Sequence, residues 1–158
     1  MSIKENYEKI KEKYNLPEFE ELDKYFDINE IDLKDKEVNN KKILKNIREN
    51  ILLKIELLID FFSSVIYFDS ESYSVYEAGN FSKKEKNEMF KIFKNLMYIK
   101  RSGFKLSIET NEEKDAEFIK MSFERYLSIK DQMIELIDKI KDSWVKDENE
   151  EKKYEYFG

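Results

Sequence analysis

Basic side chains recur at the spacing of one helix face between residues 82 and 105. Consecutive residues of a helix are about 100° apart around its axis. This step places six side chains of residues 84–105 on one arc that is about 100° wide. This group, here called the basic stripe, consists of Lys84, Lys91, Lys94, Tyr98, Arg101 and Lys105. Such a stripe could neutralise nucleic-acid phosphates or contact carboxylates of an acidic protein partner. A third interpretation is a solvated face that contacts acids on neighbouring surfaces.

The charge of the whole chain disfavours nucleic acid. The formal net charge is −6 and the isoelectric point is about 5.0. A negative field slows the approach of DNA or RNA. Nucleic-acid binding through the basic stripe therefore stays the alternative to a protein partner.

The phenylalanines near the stripe are predicted to belong to the core. The same helical projection places Phe93 and Phe104 opposite the cations, together with Met89 and Leu96. Of the aromatic residues, only Tyr98 then lies among the basic side chains.

A loop predicted over residues 69–81 carries three aromatic side chains, Tyr73, Tyr76 and Phe81. Tyrosine is favoured in protein interfaces because it offers a large amphipathic surface. The loop is therefore a candidate protein-binding site. In the alternative interpretation, these rings fold back and cover one end of the helices.

The N-terminal segment offers a second candidate site for a protein partner. Its sequence "LPEFEELDKYFDI" is acidic and has apolar anchors at Phe19, Leu22 and Phe26. An amphipathic helix of this kind docks into a partner's groove or packs on its own chain. The sequence leaves both alternatives open.

The composition argues against an enzyme and against a metal site. The chain has no Cys and no His, so it lacks a thiolate nucleophile, the commonest general base and the commonest metal ligand. Carboxylates cluster at residues 112–117, where they complement the positive end of a helix; metal binding would need four or more converging oxygens. Phosphate-binding and nucleophile motifs are absent from the sequence. We predict no catalytic residue, no metal and no cofactor.

Apolar residues at alternating steps of four and three predict three long helices. They cover residues 38–68, 83–100 and 111–146, and the second either breaks at Ser102–Gly103 or continues toward Glu109. Capping boxes, in which an oxygen side chain is followed three residues later by Glu, predict helix starts. They occur at Ser2/Glu5, Asn15/Glu18, Asp27/Glu30, Ser82/Glu85 and Thr110/Glu113.

These elements predict an all-α protein, an up-down bundle of three long helices with a short N-terminal helical hairpin. Residues 1–35 would be the N-terminal arm, 36–147 the bundle core and 148–158 a flexible tail. The most apolar run, Ile51–Phe68, contains Lys54, Glu56 and Asp60. Because charges near a bilayer centre are costly, we predict a buried helix and no membrane contact. A signal peptide is not evident, which favours the cytoplasm.

Two stretches, "LPEFEELDKYFDI" and "EKNEMFKIFKNLMYIKR", resemble small Lys/Glu-rich all-helical archaeal proteins that are uncharacterised. The resemblance implies a prokaryotic, cytoplasmic protein and carries no functional residue. Together these observations predict a non-enzymatic protein-interaction or regulatory protein whose partner is another protein or a second copy of itself.

Overall fold

The computed structural model describes residues 2–33, 39–69, 73–109 and 111–145, which form helices joined by short connections. The α-helices are α1 (Ile3–Tyr14), α2 (Phe19–Phe26), α3 (Asn40–Ile66), α4 (Ser74–Gly79), α5 (Lys83–Ile108) and α6 (Glu112–Ser143). A short 3-10 turn covers Ile28–Glu30, and no β-strand occurs in the described ranges. The all-α prediction is confirmed.

The three long helices α3, α5 and α6 pack together around a single hydrophobic core. Their inward rows are dominated by isoleucine: Ile51, Ile55, Ile92, Ile99 and Ile119 are fully buried. Burying each such side chain contributes about 1.5–3 kcal/mol. The sequence prediction of three long packed helices is thereby confirmed.

Polar contacts between the long helices fix which turns lie side by side. Lys100 Nζ of α5 lies 3.3 Å from Glu56 Oε1 of α3. Arg125 of α6 donates to Asn95 of α5 at 2.8 Å. At the other end of α5, Lys139 of α6 lies 2.6 Å from Glu85 Oε1.

Helix α5 continues without a break through Ser102–Gly103, so the second of the two alternatives is confirmed. Gly103 is buried, and a Cβ added there would lie 2.5 Å from a methyl group of Leu52 on α3. The glycine therefore lets α3 and α5 approach closely and does not end the helix.

Two of the predicted capping boxes are confirmed. At the start of α1, Ser2 N donates to Glu5 Oε2 at 2.8 Å and Glu5 N donates to Ser2 Oγ at 3.2 Å. Ser82 and Glu85 make the same reciprocal pair at the start of α5. Each pair satisfies two N–H groups that have no partner inside the helix.

The helix starts predicted at Asn15 and Asp27 are wrong in detail. Asn15 ends α1 and Asp27 ends α2, both in the left-handed conformation with φ of 51°, which Asn and Asp tolerate better than other non-glycine residues. Asp27 also precedes the 3-10 turn, but its side chain makes no capping hydrogen bond there. Asn111 caps α6 by accepting from Lys114 N at 2.8 Å. Thr110, which we predicted as that cap, lies outside the described residues.

The N-terminal helices pack on the long helices and contribute to the same core. Tyr7 of α1 is fully buried, donates its hydroxyl to Pro17 O at 2.7 Å and meets the Phe19 ring edge-on at 5.5 Å. Lys11 of α1 pairs with Glu18 at 2.6 Å. Of the two alternatives for this segment, the contacts favour packing on its own chain.

None of the helices in the described ranges has the length and apolarity required to cross a membrane. The predicted tail, residues 148–158, lies outside the described residues.

Candidate protein-binding face

The basic stripe lies on the outer side of α5. Its members are all exposed, including Tyr98 at 52%. The opposite side of the helix is buried in the core through Met89, Ile92, Leu96 and Ile99. The six side chains therefore share one solvent-facing surface, as the helical spacing indicates.

None of the five cations of the basic stripe forms an ion pair with any residue in the described ranges. These cations are Lys84, Lys91, Lys94, Arg101 and Lys105. Lysines elsewhere contrast with them: Lys54 pairs with Asp27 at 3.2 Å and Lys114 with Glu109 at 2.9 Å. The stripe thus keeps its positive charge available to another molecule.

Tyr98 is already engaged by a cation of α6. The guanidinium carbon of Arg125 lies 4.0 Å from the centre of the Tyr98 ring, and Arg125 Nη1 donates to Asn95 Oδ1 at 2.8 Å. One face of the ring is therefore covered, which leaves less of it for stacking on a nucleic-acid base.

Exposed apolar side chains lie beside the cations on α5. Phe90 is 40%, Phe104 60% and Ile108 78% exposed. The prediction that Phe104 belongs to the core is therefore wrong. It lies at the edge of the buried arc, where the helix turns from the core toward solvent.

The aromatic surface extends from α5 onto the end of α3. Phe90 stacks on Phe93 at 6.3 Å between ring centres, and Phe93 meets the edge of Tyr67 at 5.8 Å. Lys94 Nζ lies 5.4 Å from the centre of the Phe90 ring. Tyr67 remains 62% exposed. Cations and aromatic rings are thus interleaved at this end of the bundle.

Helix α3 presents a neighbouring surface of opposite charge. Leu53 and Leu57 are 62% and 68% exposed, and Glu49, Glu56 and Asp60 are exposed around them. Sequence reasoning missed this surface. The signal was present in the sequence. Neither leucine belongs to the row of apolar residues through Ile51 or to the row through Ile55, which pack α3 into the core.

We call the combined surface the α3/α5 face. It consists of Glu49, Leu53, Glu56, Leu57 and Asp60 of α3 with Phe90, Lys94, Arg101, Phe104, Lys105 and Ile108 of α5.

The three aromatic residues predicted as a loop site are not brought together. Residues 74–79 form α4, and Tyr76 donates its hydroxyl to Ser143 O and packs 4.6 Å from the Trp144 ring. Phe81 is buried, with Lys139 Nζ 5.3 Å from its ring centre. Only Tyr73, 68% exposed, faces solvent.

The three apolar anchors of the N-terminal segment are buried in the core. Phe19 is 3%, Leu22 0% and Phe26 1% exposed. A partner could reach these side chains only if α2 left the bundle. We therefore do not include them in the candidate face.

The carboxylates of residues 112–117 point to different partners. Asp115 is buried beside Arg48, whereas Glu112 accepts from the hydroxyl of Tyr14 and lies 3.5 Å from Lys13 Nζ. No cluster of three or more carboxylates that could hold a metal ion occurs among the described residues.

The contact between Lys13, Tyr14 and Glu112 is the grouping that most resembles catalytic chemistry. Lys13 Nζ lies 2.7 Å from the Tyr14 hydroxyl. Burial, followed by the bond to Glu112, raises the pKa of Tyr14. A tyrosine nucleophile needs the opposite shift. The contacts of Lys13 and Tyr14 with Glu112 connect α1 to the start of α6.

An open cleft of about 460 Å³ lies between the end of α5 and the start of α6. It is lined by Tyr98, Lys105, Glu109, Lys114 and Phe118, among others. The ion pair between Lys114 and Glu109, at 2.9 Å, occupies its polar side. Lys105 and Glu117 complete the charged part of its lining.

No model of a protein family, no curated protein and no solved structure matches this chain. The resemblance to Lys/Glu-rich archaeal helical proteins therefore stays a prediction, and function has to be argued from the residues themselves.

Proposed function

We propose that this chain is a non-enzymatic protein-interaction or regulatory protein that binds a protein partner, either another protein or a second copy of itself, through the α3/α5 face. One observation carries the proposal: the stripe cations of α5, which form no ion pair with any described residue, lie beside exposed Phe90, Phe104 and Ile108. Apolar side chains surrounded by charge mark protein-binding surfaces.

The proposal includes the up-down order of the three long helices. The contacts that support it run in opposite directions along neighbouring helices. Leu52 lies beside Gly103 and Glu56 beside Lys100, so residue numbers rise along α3 as they fall along α5. On α6, Arg125 reaches Asn95 and Lys139 reaches Glu85.

The test reverses charge on the basic stripe and measures retained partners. The variant carries Lys91→Glu, Lys94→Glu and Arg101→Glu. A matched control carries Lys9→Glu, Lys24→Glu and Lys41→Glu, which changes the net charge equally at exposed positions outside the α3/α5 face. Both are used as tagged bait in cell lysate, and circular dichroism checks their helix content.

We expect the stripe variant to lose a protein that the control and the wild type retain, because like charges would then face an acidic partner. Unchanged retention of every bound protein by the stripe variant would contradict the proposal.

Because the stripe cations have no ion-pair partner in the described part of the chain, they also favour a second candidate, a nucleic-acid-associated protein. Nuclease treatment of the lysate distinguishes the two, because a partner held through DNA or RNA is released. Five phosphate contacts would give a slope of about −4 to −5 in a plot of log binding constant against log salt concentration. A protein partner that survives nuclease treatment contradicts this alternative.

A further inference from the structure

The two halves of the α3/α5 face lie side by side on neighbouring helices. Steps of about 100° per residue place Glu49, Leu53, Glu56, Leu57 and Asp60 within one arc of about 100° on α3. The same projection places Phe90, Lys94, Arg101, Phe104, Lys105 and Ile108 within one arc of about 100° on α5. Both arcs lie opposite the buried rows of their helices.

The charges on the two halves are opposite. The three acids of the α3 half are exposed, as are the three cations of the α5 half. The apolar side chains between them are among the most exposed of the protein: Leu57 is 68% and Ile108 is 78% exposed. Each half has the composition that would complement the other half.

The acids and cations also match in position along the helix axes. Because Leu52 lies beside Gly103 and Glu56 beside Lys100, Glu49 lies level with Lys105 and Asp60 with Lys94. Glu56 lies level with Arg101 by the same count. Each match holds within two residues, or about 3 Å at about 1.5 Å per residue.

We propose that the occupant of the α3/α5 face is a second copy of this chain, an inference that rests on the proposed function and names its partner. A two-fold axis parallel to the helices places α3 of one copy against α5 of the other, twice. Rotation about such an axis does not change the position of a residue along the helix direction. The acids of one copy therefore face the cations of the other in three pairs: Glu49 with Lys105, Glu56 with Arg101 and Asp60 with Lys94.

The other two-fold arrangement, with an axis across the helices, places α3 against α3 and α5 against α5. It brings Glu56 and Asp60 toward the acids of the second copy and the cations of α5 toward each other. Like charges in an interface are unfavourable. The charge pattern therefore selects the arrangement that pairs α3 with α5.

The size of the face suits a weak dimer that forms as concentration rises. Its residues span about 17 Å of α3, from Glu49 to Asp60, and about 27 Å of α5, from Phe90 to Ile108, at about 1.5 Å per residue. On two helices about 10 Å apart, this is roughly 450 Å² per copy or roughly 900 Å² in total, which lies among weak interfaces below about 1,200 Å². Two-fold dimers are the commonest oligomers.

The first test is charge complementation measured by sedimentation velocity. One variant carries Glu49→Lys and Asp60→Lys, and the other carries Lys94→Glu and Lys105→Glu. We expect the wild type to reach a mass near twice 19.3 kDa as concentration rises. Each variant alone should lose the dimer, since both of its contacts become repulsive. An equimolar mixture of the two variants should recover it, because both contacts in the mixed dimer are attractive.

The second test uses the absence of cysteine from the chain. Leu53 lies level with Phe104, so the proposed dimer brings these side chains of different copies together. Single-cysteine variants Leu53→Cys and Phe104→Cys, mixed and oxidised, should give a disulfide-linked dimer on a non-reducing gel. Either variant alone should give far less.

A wild type that stays monomeric at every concentration overturns the second copy as occupant, as does a mixture of charge variants that fails to dimerise. Equal cross-linking of Leu53→Cys with itself overturns the pairing of α3 with α5. The proposed function fails by a different result, because it requires that reversing Lys91, Lys94 and Arg101 releases a bound protein. If the wild type is a monomer but the charge-reversed variant fails to retain a different protein that the wild type binds, the second copy is excluded and the proposed function still holds.

Discussion

Arg48 of α3 and Asp115 of α6 form an ion pair inside the bundle, with Nη1 of the arginine 3.0 Å from Oδ1 of the aspartate. Their side chains are 3% and 0% exposed. Removing water from two charges costs free energy that their attraction only partly returns. The pair therefore holds α3 and α6 in one register, and its value depends on both members being present.

Removing one member should be far more costly than removing both. We expect Asp115→Ala to lower the free energy of unfolding by about 3–5 kcal/mol, because it leaves a buried cation uncompensated. The double variant Arg48→Met with Asp115→Leu should lie near the wild type or above it by about 1–4 kcal/mol. Urea unfolding followed by circular dichroism measures both.

A surface pair provides the control for this comparison. Lys141 Nζ and Asp138 Oδ1 on α6 lie 2.8 Å apart and both side chains are more than half exposed, and Asp138→Ala should change stability by about 0–1 kcal/mol. Equal losses for Asp115→Ala and Asp138→Ala would show that the buried pair has no special role.

The close approach at Gly103 predicts an unusual response to alanine. In a helix interior, replacing Gly by Ala usually gains about 1 kcal/mol. At Gly103 the new methyl would lie 2.5 Å from Leu52 Cδ2, and overpacking costs about 1–3 kcal/mol. We expect Gly103→Ala to lower the melting temperature, and Leu52→Ala in the same chain to reduce that effect of the added methyl.

Gly79 is the matched control for that substitution. A Cβ added at Gly79 has no neighbour within 4 Å, so Gly79→Ala should be neutral or stabilising. Similar melting temperatures for the two alanine variants would contradict the close contact between α3 and α5.

The contact between Glu85 and Lys139 predicts a dependence of stability on acid. The Lys139 ammonium, together with the Ser82 backbone N–H, lowers the pKa of Glu85 from 4.5 to about 2. A carboxyl group whose pKa is lower in the folded than in the unfolded state stabilises the fold at pH values above its unfolded pKa. This contribution is lost as the pH falls from about 4.5 to about 2.

We therefore expect Lys139→Met to be less stable than the wild type at pH 7 by about 0.5–1 kcal/mol, because both side chains are partly exposed. The difference should shrink as the pH falls toward about 2. Urea unfolding at both pH values measures it. Lys141→Met serves as control, since the pair between Lys141 and Asp138 is more than half exposed. A difference that grows in acid has the wrong sign and rejects the assignment.

The single tryptophan reports whether α4 stays attached to the end of α6. Trp144 Nε1 donates to Glu77 Oε1 at 3.0 Å, and the Tyr76 ring packs 4.6 Å away. Glu77→Ala removes the acceptor, so we expect a red-shifted emission and stronger quenching by acrylamide. Tyr73→Ala should leave the emission unchanged, because Tyr73 is exposed. Identical spectra for wild type and Glu77→Ala would argue against this attachment.

Local patterns in the sequence were sufficient for the three long helices and for the position of the basic stripe, but not for α4, which was predicted as loop. The steps of four and three around Ile47 and Ile51 depend only on helix geometry. The boxes at Ser2 and Ser82 depend on residues three apart. Whether α5 breaks or continues at Gly103 does not depend on local pattern. The reason for a glycine at this position is the close approach of Leu52 from α3, which the sequence does not show.

Features that depend on distant residues were not predictable. Asp115 was grouped with its neighbours at a helix start, and nothing in the sequence links it to Arg48. The exposure of Phe104 and Ile108 could not be predicted, because it depends on how wide the buried arc of α5 is. The leucines at positions 53 and 57 could have been found, since they are apolar residues that no core row includes.

The uneven distribution of charge on α5 has a further consequence. The net charge of the chain is −6, whereas the stripe cations of α5 form no ion pair with any described residue, so α5 carries a local group of positive charges on a negative molecule. In dilute salt, such an uneven distribution of charge orients an approaching charged body before the two touch. The side that meets the other body first is then decided at a distance, and raising the ionic strength shortens that distance.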